Sequence, residues 1–73
     1  MKSFLDDYGN MATIKKDYGF PYKGAEKRTE EFILTLYSMY DNCKMYFLSI
    51  YETEEDAMNK LKSFSCGTFK ESI

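Results

Sequence analysis

Apolar positions fall into several stretches along the chain, and their spacing differs from one stretch to the next. Phe4, Tyr8, Met11, Ile14 and Tyr18 recur every three to four residues, the spacing of one helix face. Ser3 can cap the start, and Gly19 stands where a left-handed C-terminal cap would. Lys15 and Lys16 fall in the last turn, where the helix dipole favours cations. The pattern predicts an N-terminal helix, weakened or split at Gly9-Asn10. Asp-Tyr-Gly at residues 7–9 and again at 17–19 reads as chance or as two similar helix ends, since the spacing is far short of a structural repeat.

Gly19-Phe20-Pro21-Tyr22-Lys23-Gly24 interrupts the pattern, because the residue before a proline is pushed toward extended backbone. A connector is expected there, with room for a third, edge strand around residues 20–28. Phe32–Tyr40 and Lys44–Tyr51 are then rich in aromatic and branched residues on either side of Asp41-Asn42-Cys43, the signature of a β-hairpin. Loop parity decides which side chains share a face. A three-residue loop groups Phe32, Leu34 and Leu36 with Tyr46, Leu48 and Ile50. It leaves Ile33, Thr35 and Tyr37 with Phe47, Ser49 and Tyr51.

The last periodic segment begins at Thr53-Glu54-Glu55-Asp56, an N-cap followed by three carboxylates at the positive end of the dipole. Ala57, Met58, Leu61 and Phe64 form its apolar stripe, Cys66-Gly67 is its expected end, and Thr68–Ile73 form a tail from which Phe69 can fold back. The expected fold is α+β: one two-layer domain over residues 1–73, an antiparallel hairpin with an N-terminal and a C-terminal helix.

Length sharpens this picture. A domain of 73 residues buries roughly 60% of the surface of its unfolded chain, so its stability margin is narrow and association is a natural supplement. Seven Tyr and six Phe supply much contact area per residue, and a tyrosine hydroxyl needs water or a partner, which favours rim and surface positions. No apolar run approaches a membrane span, and Met1-Lys2-Ser3-Phe4-Leu5-Asp6-Asp7 meets carboxylates where a signal peptide would stay apolar. No membrane association and a cytoplasmic location are expected. In that reducing compartment Cys43 and Cys66 are expected as free thiols.

Candidate chemistry is sparse. The chain has no histidine, so general acid–base work would need a strongly shifted carboxylate, Lys, Tyr or Cys. Glu30-Glu31 and Glu54-Glu55-Asp56 have ordinary explanations as a strand entry and a helix start. Cys66 lacks an imidazole to activate it, two cysteines cannot complete a structural zinc site, and the four glycines match no phosphate-binding loop. Neither a catalytic residue, a metal nor a cofactor is expected, and the protein is not expected to be an enzyme.

Three readings remain, two of them resting on named residues. A non-catalytic protein-binding or regulatory role, with a second copy of the chain as one partner, would use the aromatic hairpin surface at Ile33, Tyr37, Phe47 and Tyr51. The alternative is nucleic-acid binding through Lys15, Lys16, Lys23, Lys27 and Arg28, interleaved with Tyr18, Phe20 and Tyr22. Residues 1–28 carry six basic and four acidic groups, residues 29–73 four basic and eight acidic, for a net charge of −2. That is a weak electrostatic case for binding phosphates. The helix–strands–helix order resembles the double-stranded-RNA-binding domain, and a hairpin leading into Tyr51-Glu52-Thr53-Glu54-Glu55-Asp56-Ala57 resembles the arm-binding domains of phage integrases. Where the former family places lysines at its last helix, this chain has Glu54, Glu55 and Asp56, which would repel a phosphate backbone. A small phage-type inhibitor of a host enzyme, acting through an acidic surface, is a third reading compatible with size and charge.

Overall fold

Ala12 and Ile14 are buried while Met11 and Thr13 beside them are only half-buried, an alternation with the period of a strand and not of a helix. The computed structural model describes residues 1–64 and 67–72. In it the N-terminal segment is a β-hairpin: β1 (Lys2–Leu5) pairs antiparallel with β2 (Asn10–Gly19), Phe4 opposite Ala12. The expected N-terminal helix is therefore absent. Turn chemistry overrides the helical spacing of Phe4, Tyr8 and Met11. The Asp6 carboxylate accepts hydrogen bonds from the backbone N–H groups of Tyr8 (2.9 Å) and Asn10 (2.7 Å) and from the Asn10 side-chain amide (2.7 Å), as Asx turns do. Gly9 supplies the positive φ of 84° that closes the turn. The two Asp-Tyr-Gly tripeptides are thus a turn at residues 7–9 and a strand end at 17–19.

β3 (Thr29–Ser38) and β4 (Lys44–Tyr51) form the expected second hairpin, although β3 starts earlier than the aromatic run and residues 20–28 form turns and bends without a strand. α1 (Glu54–Lys62) follows, and β5 (Lys70–Ser72) pairs with β1. Among the described residues the result is one five-stranded antiparallel sheet in the order β4-β3-β2-β1-β5, carrying one short helix. The expected two-helix α+β arrangement is thereby replaced by a mostly β one.

The loop between β3 and β4 has odd length, Ser38 standing opposite Lys44 and Tyr37 opposite Met45, yet Leu36 stands opposite Phe47. The register shift leaves Tyr46 as an extra residue, a β-bulge. From there on every β4 side chain changes face relative to the expectation from loop parity. Phe32, Leu34 and Leu36 lie beside Tyr51, Ser49 and Phe47, while Ile33 and Thr35 lie beside Ile50 and Leu48.

α1 covers the first of these faces. Thr53 caps it, accepting from the Asp56 N–H at 3.1 Å, and it ends at Ser63; the expected terminus at Cys66 lies outside the described residues. Ala57 and Leu61 meet Phe4, Ala12, Ile14, Leu34 and Leu36 in the buried core, and Phe32, Phe47, Tyr51, Met58, Phe64 and Phe69 pack around it. Phe47 and Phe64 meet edge to face, with centroids 5.0 Å apart.

Candidate interaction surface

The other face of the sheet has no covering layer among the described residues. Strand alternation and register place Leu5 of β1, Met11 and Thr13 of β2, Ile33, Thr35 and Tyr37 of β3, and Leu48 and Ile50 of β4 on it, with Met45 and Tyr46 at the bulge. None of these ten residues is charged. Leu5, Met45, Tyr46, Leu48 and Ile50 are exposed, Leu48 at 52% and Ile50 at 54%, whereas Thr35 in the middle of the face is only 6% exposed. Lys15 and Lys70 stand at the periphery. An apolar centre with a charged rim is the usual composition of a protein-binding patch.

The four residues expected to bind a partner are divided by this geometry. Ile33 and Tyr37 belong to the open face, whereas Phe47 and Tyr51 point to the helix side and pack on the core. Leu5, Met11, Leu48 and Ile50 were not foreseen as surface residues. The signal for Leu5 and Met11 was the strand alternation at residues 11–14; for Leu48 and Ile50 it was hidden by the bulge. Partial burial raises the Tyr46 phenol above its ordinary pKa, with the Asp6 charge adding to the effect.

The five cations of the nucleic-acid reading gather on a separate feature. β2 and β3 pair with each other over Asn10–Gly19 and Thr29–Ser38, but β1 reaches only Met11–Ile14 and β4 only Phe32–Ser38. Asp17–Glu31 therefore projects past the sheet as a two-stranded arm with its tip at residues 20–28, and the molecule is 42 Å long but 24 and 21 Å across. Lys15 and Lys16 lie at the arm's base on opposite faces, and Lys23, Lys27 and Arg28 lie in or beside the tip. Tyr18, Phe20 and Tyr22 are exposed. The Lys16 ammonium pairs with Glu30 at 3.0 Å and lies 5.9 Å from the Tyr18 ring centroid; Glu30 raises its pKa. The Arg28 guanidinium lies over Phe20 at 5.4 Å. Residues 15–31 combine five basic with four acidic groups, so the arm's cations are largely neutralised within the arm itself.

Cys43 is exposed at the β3–β4 turn as a free thiol. Among the described residues no three His, Cys, Asp or Glu side chains converge as metal ligands, and no helix is long and apolar enough to cross a membrane. No family model matches the chain, and neither the curated proteins nor the solved structures contain a match.

Proposed function

We propose that the chain is a small non-catalytic binding protein that engages a protein partner through the open face of its sheet. The observation that carries this reading is the uncharged patch of ten residues around Thr35, with Leu5, Met45, Tyr46, Leu48 and Ile50 left exposed. In a chain this small, that much unburied apolar surface is a cost to the monomer unless it meets something. The arm offers less support for nucleic acid, because Glu30 neutralises Lys16 and Asp17, Glu26 and Glu31 would face any approaching phosphate.

The test compares wild type with Leu5→Lys and Ile50→Lys, two half-exposed positions on opposite sides of the patch. Proteins co-purifying with the wild type are expected to be lost from both variants at unchanged melting temperature, and kept by Lys23→Glu on the arm. Equal capture by all four would place the partner site elsewhere.

A further inference from the structure

We infer that the occupant of the open face is a second copy of this chain, the two sheets stacking face to face across a two-fold axis with their arms at opposite ends. The inference rests on the reading of that face as a binding surface and names what binds there.

Area is the first argument. Leu5, Met45, Tyr46, Leu48 and Ile50 are each about half exposed, and Met11, Thr13, Ile33 and Tyr37 are half-buried. Together they leave roughly 600 Å² open, about a tenth of the 5395 Å² surface of the protein, which is the share a specific interface takes from a small protein. Two copies would bury roughly 1,200 Å² between them, enough for a specific but modest dimer. Stacking would also turn a sheet covered on one side into one covered on both, and a chain this short has little other apolar surface left to bury.

Shape is the second. Thr13 and Thr35 stand side by side, with Met11 and Tyr37 next along the strands in one direction and Ile33 in the other. The short side chains form a trough between longer ones, and Thr35 is only 6% exposed because its neighbours rise around it. A second sheet carrying the same ridges and the same trough can settle its large side chains over these threonines, as the inner faces of a sandwich interdigitate. An isologous interface needs that self-complementarity.

Charge fixes the orientation. The face itself is uncharged, so it neither repels its own copy nor selects a charged partner. Asp17 and Glu31, directly paired on the arm, continue the same side of the sheet beyond Lys15 and Ile33. A two-fold axis along the strands would bring the acidic pairs of both copies together at one end. An axis across the strands sends the arms in opposite directions and keeps the pairs apart.

Sedimentation equilibrium of the purified chain between about 5 and about 200 µM, a range suited to an interface of this size, is expected to show monomer and dimer in equilibrium. Ile50→Lys and Leu48→Lys each put a charge into the interface and are expected to weaken the dimer at least about 100-fold. At about 1 µM, where dissociation removes the contribution of the partner, both should melt with the wild type. Tyr22→Lys at the arm tip is expected to dimerise like the wild type. In a mixture of isotope-labelled and unlabelled copies, NOEs filtered for contacts between copies are expected to join the Ile33, Leu48 and Ile50 methyl groups to the Tyr37 and Tyr46 rings. A wild type that stays monomeric at about 200 µM overturns the inference. If that monomer still captures another protein, and Leu5→Lys and Ile50→Lys lose it, the open face keeps its role with a different occupant; equal capture by all variants removes both readings. A dimer that survives both lysine substitutions, or whose contacts between copies fall on Phe20 and Tyr22, overturns the inference as well.

Discussion

Leu36 stands directly opposite Phe47, and through that pair β4 sends an aromatic ring under the helix to meet Phe64 at 5.0 Å. Lys60 lies over both rings, 5.9 Å from the Phe47 centroid and 5.5 Å from that of Phe64. The neighbouring Leu48 points the other way and is half exposed. Two adjacent residues of similar hydrophobicity should therefore respond differently to truncation. Phe47→Ala is expected to cost about 2–3 kcal/mol and Leu48→Ala less than about 1 kcal/mol. Urea denaturation of the two variants checks this, and equal losses would mean that β4 lacks the register shift.

That register shift marks where the sequence stops being legible. Thr53 with its three carboxylates and the Ala57, Leu61 stripe define α1 without ambiguity, because caps and a 3.6-residue period reinforce one another there. The hairpin was equally visible from its two aromatic runs. Which face each β4 residue occupies was not, since one extra residue at Tyr46 reverses all later side chains and nothing in Lys44-Met45-Tyr46-Phe47 announces it. The N-terminal segment failed for a different reason. Phe4, Tyr8, Met11 and Tyr18 fit a helix by spacing, but Tyr8 lies in a turn and Tyr18 on the arm, both exposed, and Met11 lies on the open face; of the four, Phe4 alone belongs to the core. Asp6, Gly9 and Asn10 held the better signal, as a turn with its own hydrogen bonds. The surface site inherited both errors, so only Ile33 and Tyr37 of its expected members lie on the open face.

Alkaline solution should destabilise the fold. The Lys2 ammonium is held above its ordinary pKa by its hydrogen bond and ion pair to Glu54, which ties β1 to the start of α1, and Lys16 is held up in the same way by Glu30. The Tyr46 phenol is raised by partial burial and then by Asp6. In all three cases the folded state binds its proton more tightly than the unfolded chain does. The corresponding stability is fully present below the unfolded-state values and is lost as pH rises beyond about 10 through the folded ones. Both lysines are solvent-exposed, so the change should be modest. Denaturation midpoints are expected to be flat from pH 7 to about 9 and to fall above about 10, with a shallower fall in Lys2→Met.

Asn42 and Cys43 both have positive φ, 53° and 56°, and the Lys44 N–H donates to the Asp41 carbonyl at 3.0 Å across them. A four-residue turn with two left-handed central residues matches the right-handed twist of the strands, and glycine is the preferred second member after asparagine. Cys43 occupies that position at a cost of about 1–2 kcal/mol for a side chain in this region, offset in a glycine variant by about 0.4–1 kcal/mol of extra unfolded-state entropy. Cys43→Gly is therefore expected to stabilise the protein by up to about 1 kcal/mol, raising the melting temperature by roughly 4–8 °C at the upper end. Cys43→Ser keeps the Cβ and should leave the melting temperature nearly unchanged. A glycine variant no more stable than the serine one would show that the turn is not strained.

Gly9 poses the opposite case, because two separate effects oppose a side chain there and they can be measured apart. Its φ of 84° disfavours any Cβ, and a Cβ at this position would run into the Tyr40 ring. The backbone has little freedom to relax, since the Gly9 carbonyl accepts from the Met39 N–H at 2.9 Å and so ties the β1–β2 turn to the β3–β4 turn. Tyr40, by contrast, is 86% exposed, and its ring can swing into solvent with little loss of packing. The dihedral cost should then dominate the steric one. Gly9→Ala is expected to destabilise by about 1–2 kcal/mol, and by nearly the same amount in a Tyr40→Ala background, giving a coupling energy below about 0.5 kcal/mol. Chemical denaturation of the two single variants and the double variant supplies the cycle. A double variant that recovers most of the loss would show that the Tyr40 ring is held firmly over the turn, and that the end of the sheet is packed more tightly than its exposure implies.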